Sequence, residues 1–203
     1  MKTKESTMKT KSRITLFGLV MVIGLCYANF ASAESNFATG AGPQSAAVNL
    51  DFQIVIPKFI YFRVGPAGAL NIDTINFNPT ATDVTTPGAI TAGTGGDAGG
   101  GGAVNVDLIS NGGNITITTA NDGGGNGLVD GTNYISYDQI FTTDGGNIAA
   151  PDLTNAGAAA PVVINSTGVT VESDVWTYTY ENPAAPPVPG TYTGRVTYTA
   201  AIL

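Results

Sequence analysis

The most regular pattern in the chain is a strict alternation of apolar and polar positions near residue 50. From Val48 to Ile56 the sequence places Val48, Leu50, Phe52, Ile54 and Ile56 on one face and Asn49, Asp51, Gln53 and Val55 on the other, and Pro57 stops the run. A second alternation ends the sequence. Tyr192, Val196, Tyr198, Ala200 and Ile202 share one face, and Thr191, Thr193, Arg195, Thr197 and Thr199 share the other. Trp176, Tyr178 and Tyr180 alternate in the same way with Val175, Thr177 and Thr179. No stretch after residue 34 holds a helical period over eleven residues or more. The short runs rich in Val, Ile, Thr, Tyr and Phe, set off by Gly, Pro, Asn and Asp, predict an all-β chain. Strands are expected over 47–56, 58–64, 70–77, 103–110, 114–120, 133–141, 161–171, 174–181 and 190–202. That number of strands suits a two-sheet sandwich.

The first 33 residues stand apart from this pattern. Lys2, Lys4, Lys9, Lys11 and Arg13 precede an apolar run from Ile14 to Cys26, and Ala31-Ser32-Ala33 follows. A basic start, an apolar core too short for a membrane span and a small-x-small site predict a secretory signal peptide cleaved before Glu34. The expected organisation is a signal peptide over 1–33, an N-terminal extension over 34–57 and a β-sandwich domain over 58–203. The mature protein is then secreted and not embedded in a membrane.

Removing the leader changes the chemistry on offer. It carries five of the eight basic residues, one of the 15 acidic ones and the single cysteine, so the mature chain keeps three basic and 14 acidic residues, a net −11. The chain has no histidine. Imidazole triads, thiol catalysis and zinc–thiolate centres are excluded, and the acidic balance argues against a nucleic-acid partner. The glutamates beyond the leader are Glu34, Glu172 and Glu181, and none sits in a motif that suggests a glycosidase pair. No enzyme activity, cofactor or transition-metal site is expected.

Three weaker signals remain. Residues 93–131 hold 14 of the 25 glycines beyond the leader, and the runs Gly99–Gly102 and Gly123–Gly125 are expected as loops. The segment Asn121–Asn133 has a faint likeness to a calcium loop, but Gly124 stands where an oxygen ligand belongs and Asn133 where a Glu belongs, leaving at most an irregular weak site at Asp122 and Asp130. The row of Trp176 and Tyr178 reads either as the core face of a sheet or as a surface aromatic platform for sugars.

A secretory leader, an alternating comb near the mature N-terminus, a Gly/Thr-rich β body and the terminal strand Gly190–Thr199 (GTYTGRVTYT) occur together here. That combination resembles subunits of chaperone–usher pili, especially the archaic type and the related spore coat protein U-like domains. The resemblance rests on the two ends of the mature chain. It implies an incomplete immunoglobulin-like sandwich completed by a strand from a neighbouring subunit, a homopolymer built head to tail, and a periplasmic chaperone and outer-membrane usher as partners. Carried over residue by residue, Val48, Leu50, Phe52, Ile54 and Ile56 form the donor strand, and Tyr192, Val196, Tyr198, Ala200 and Ile202 line the acceptor groove. The implied role is a pilus subunit in adhesion or biofilm formation. Many members of that family carry a cysteine soon after the donor strand, whereas Lys58–Gly65 has none. The alternatives are a self-complemented secreted sandwich, with 47–56 paired to its own last strand, and a carbohydrate-binding adhesin.

Overall fold

The computed structural model describes residues 35–68 and 73–203, so the expected leader lies outside the described residues. The chain divides between Val55 and Ile56 into two units. In the first unit the described residues form no helix or strand, and Leu50, Phe52 and Ile54 are 77%, 85% and 85% exposed. The segment expected as a strand over 47–56 is therefore not one here. A strand exists only as a member of a ladder, and a period-two apolar face becomes one when a neighbouring edge and core receive it.

The second unit is an antiparallel two-sheet sandwich, the architecture expected from the alternation. Its elements are β1 (Ile60–Val64), α1 (Ala81–Thr85), β2 (Gly88–Thr91), β3 (Ala103–Ser110), β4 (Ile115–Asn121), β5 (Leu128–Asp130), β6 (Asn133–Ile135), β7 (Ile140–Thr143), β8 (Val162–Ile164), β9 (Thr170–Asn182) and β10 (Val196–Ile202). In one sheet β1 pairs with β3 and β3 with β9, while β2 and β7 also pair with β9. In the other β4 lies between β10 and β8. β5 and β6 make a separate hairpin.

The core forms where the alternating faces of the two sheets meet. β3 contributes Val104, Val106 and Leu108, β4 contributes Ile115 and Ile117, and β9 contributes Trp176 and Tyr178, all buried. Tyr137, Ile148 and Leu153 join them from the connections. The glycine run 99–102 lies in the loop between β2 and β3, where its four residues take φ between +64° and +97°. Side chains strain that backbone region, so only glycine serves there without cost.

Several boundaries differ from the alternation. Residues 133–141 split into β6, a 3-10 turn over Tyr137–Gln139 and β7, because the Ser136 hydroxyl accepts from the Asp138 N–H and starts the turn. Residues 161–171 split where the Ser166 N–H donates to Asn114 Oδ1 at 2.9 Å and the Gly168 N–H to Ser166 Oγ at 3.3 Å. The strand expected over 70–77 lies partly outside the described residues, and the rest makes only a bridge from Asn76 to Thr94. The final strand begins at Val196 rather than 190.

Candidate functional site: two open strand edges

β1 and β10 are the end strands of their sheets. Among the described strands, β1 is laddered only to β3 and β10 only to β4. Their Cα atoms come within 8 Å of each other. The burial of facing residues shows what this does to the core. Phe62 and Val64 of β1 lie opposite Leu108 and Val106, which are fully buried, yet themselves are only half-buried. Tyr198, Ala200 and Ile202 of β10 lie opposite Thr119, Ile117 and Ile115, all buried, yet are again half-buried. Both strands turn apolar side chains inward, and among the described strands neither carries a ladder on its free side.

Trp176 lies beneath both strands. Its ring centroid is 6.5 Å from that of Phe62 and 5.2 Å from that of Tyr198. The indole N–H donates to the Ile148 carbonyl at 2.7 Å. Ile148 belongs to a loop held by the Asp174 carboxylate, which accepts from the N–H groups of Gly145 (2.8 Å), Asn147 (2.9 Å) and Ile148 (2.7 Å), and from that of Val175 (2.7 Å). Burial alone raises the pKa of Asp174, but the N–H donors outweigh it and hold the value below the ordinary one. Tyr178 and Tyr198 share a hydrogen bond at 2.8 Å between their hydroxyls. Burial pushes the Tyr198 phenol up to about 12 and raises that of Tyr178 as well.

Each open strand is fixed at its entrance. Asp122 accepts from the Arg195 N–H at 2.8 Å and from the Tyr137 hydroxyl at 3.1 Å, and thereby holds the residue before β10. The Arg195 N–H leads the causes that lower the Asp122 pKa. Burial, then the neighbouring Asp122 charge, pushes Tyr137 up to about 12. Before β1, Asn111 Oδ1 accepts from the Phe59 N–H at 2.8 Å and Asn111 Nδ2 donates to the Pro57 carbonyl at 2.9 Å. Arg63 donates to Asp107 through Nε (2.9 Å) and Nη2 (2.5 Å), lies 3.5 Å from Asp97, and also donates to the Gly65 carbonyl.

The structure therefore brings Val196, Tyr198, Ala200 and Ile202 together on one inward face, as expected. It does not bring Tyr192 to them. Tyr192 precedes β10, and its hydroxyl donates to the Val188 carbonyl at 2.6 Å, so it belongs to the connection that contains Pro183, Pro186, Pro187 and Pro189. The surface reading of the aromatic row is corrected too. Trp176 is 0% exposed and Tyr178 7%, which leaves no stacking face for a sugar. Phe62 and Val64, the opposite wall, carried no expected role, although their alternation in Lys58–Gly65 was the signal that could have found them. In the 121–133 segment the Asp122 carboxylate is spent on Tyr137 and Arg195. Among the described residues no three His, Cys, Asp or Glu side chains come together as metal ligands, and no helix is long and apolar enough to cross a membrane. No protein-family model matches the chain, and no curated protein sequence matches it.

Proposed function

We propose that this chain is the structural subunit of an extracellular pilus assembled by donor-strand exchange and serving adhesion or biofilm formation. The observation that carries this reading is the half-burial of the facing rows on β1 and β10 beside strand edges without a ladder. Those rows are where an added strand would complete the cover. The same chain carries, in Val48–Ile56, an apolar comb that is exposed and not part of any strand.

Strand addition joins the two. The comb of one copy ladders onto the free edge of β10 in the next, and its apolar side chains pack against the half-buried rows beside Trp176. Burying a Val, Leu, Ile or Phe side chain contributes roughly 1.5–3 kcal/mol, so five amount to on the order of 10 kcal/mol before ordering costs. Donor and acceptor are different surfaces, so the contact is head to tail, does not close, and propagates a filament. β1 and β10 approach within 8 Å. A strand seated between two others needs about 9.6 Å, twice the sheet spacing. β1 must therefore yield as the comb enters, which gives a periplasmic chaperone and an outer-membrane usher a physical task. The chaperone holds β1 and β10 apart until the next subunit arrives.

The test uses the purified mature protein. It should form ladders that survive cold detergent and collapse to monomer on boiling. Deleting residues 34–56 should abolish the ladders while the remaining protein binds a synthetic 47–56 peptide. Phe52→Asp should also abolish them, because it carries an unpaired carboxylate into the core. A soluble monomer whose own residues 47–56 pair with its own last strand refutes the proposal and leaves the self-complemented sandwich in its place.

A further inference from the structure

The inward row of β10 is uneven. Val196, Tyr198, Ala200 and Ile202 follow one another, and Ala200 leaves a notch between a phenol ring and a branched aliphatic side chain. The Cα partner of Ala200 on β4 is Ile117, which is fully buried beside it. The Ile202 side chain packs on the other side, against Gly112, where a Cβ would collide with it. Tyr198 is held in turn by Trp176 and by its hydrogen bond to Tyr178. The comb has the complementary profile, with its bulkiest member, Phe52, at the centre and 85% exposed.

We infer that Ala200 is the position that receives Phe52 of the neighbouring copy, and that this pair sets the register of an antiparallel strand addition. The inference rests on the donor-strand reading above and assigns its specificity-determining residue. With Phe52 opposite Ala200, antiparallel pairing puts Ile54 opposite Tyr198, Ile56 opposite Val196 and Leu50 opposite Ile202. Antiparallel ladders are the more stable per residue. In this register residues 50–56 span the whole of Val196–Ile202, and Val48 lies beyond the end of the ladder. Pro57, which has no N–H to give, falls opposite Arg195, just where β10 begins and the ladder ends. A shift of one residue turns Asn49, Asp51 and Gln53 into the core. A shift of two drives Phe52 against Tyr198 and leaves Ile56 beyond the start of β10.

A size swap in the full mature chain tests this. Ala200→Phe fills the notch and Phe52→Ala empties the knob, and each alone should slow polymerisation by about tenfold or more. The double variant should return to within about threefold of the unmodified protein. The mature chain has no cysteine, so a second measurement does not depend on the bulky variant folding. Phe52→Cys with Ala200→Cys should yield disulfide-linked multimers on oxidation, and Phe52→Cys with Ile202→Cys should not, because only the first pair lies within bonding distance. A double variant no better than the worse single, or cross-linking at position 202 in preference to 200, overturns the register while polymerisation of the unmodified protein still supports strand exchange. Failure of the unmodified protein to polymerise overturns both.

Discussion

Asp174 offers the sharpest test of how the core around Trp176 is supported. Its carboxylate gathers four backbone N–H groups, three of them from the loop that carries the carbonyl partner of Trp176. In Asp174→Ala water can replace the carboxylate at the exposed residues Gly145 and Asn147 but not at Ile148, which is fully buried. Hydrogen bonds to a charged group contribute about 1.5–3 kcal/mol and an orphaned buried donor costs about 1–3 kcal/mol, so a loss of about 3 kcal/mol is expected. For a domain of this size that lowers Tm by roughly 6–12 °C. Thermal unfolding followed by circular dichroism measures it. The Asp174→Asn variant adds a pH signature. Because the folded pKa lies below the ordinary one, the carboxylate's contribution is complete above about pH 4 and is lost as pH falls through the folded value. The Tm gap between the parent protein and Asp174→Asn should stay constant between about pH 5 and 8 and narrow below about pH 4. A drop under about 2 °C for Asp174→Ala, or a gap that widens in acid, refutes this account of the loop.

Three further outcomes follow from the same geometry. Asn111→Ala removes both bonds to the segment before β1 and should cost about 1–2 kcal/mol, with faster amide exchange at Phe59; an unchanged exchange rate would show that the clamp is idle. Tyr137 and Tyr198, both pushed up to about 12, favour the folded state below the ordinary phenol value, so stability should fall as pH rises from about 10 to about 12; a flat alkaline melting profile contradicts their burial. Mass spectrometry of the secreted protein should find Glu34 at its N-terminus, and a mature chain beginning at Met1 rules out the leader.

How far the sequence disclosed all this depends on what alternation reports. A period-two pattern records which side chains need burial, and it located β3 and β4 almost to the residue and the inner part of β9, whose first residues, from Thr170, it assigned to the preceding run, because their partners lie in the same chain. It missed β2, α1 and β5, which are three to five residues long and bordered by glycine, proline or polar turns, too short to show a period. It merged β6 with β7 because the turn between them is set by the Ser136 side chain, a hydrogen bond that leaves no trace in the spacing of apolar positions. It put Tyr192 on the last strand because every second residue there is apolar or glycine, whereas the Val129–Thr193 bridge and the Asp122–Arg195 bond interrupt the run before Val196. The two ends of the chain are the instructive case. The comb at 48–56 and the row on β10 carry equally clear patterns, yet the comb is exposed outside any strand and the row is half-covered. An alternation whose burial is not met inside the chain asks for a partner outside it. Under the donor-strand proposal, the exposed comb and the half-covered row on β10 are the two halves of one ladder.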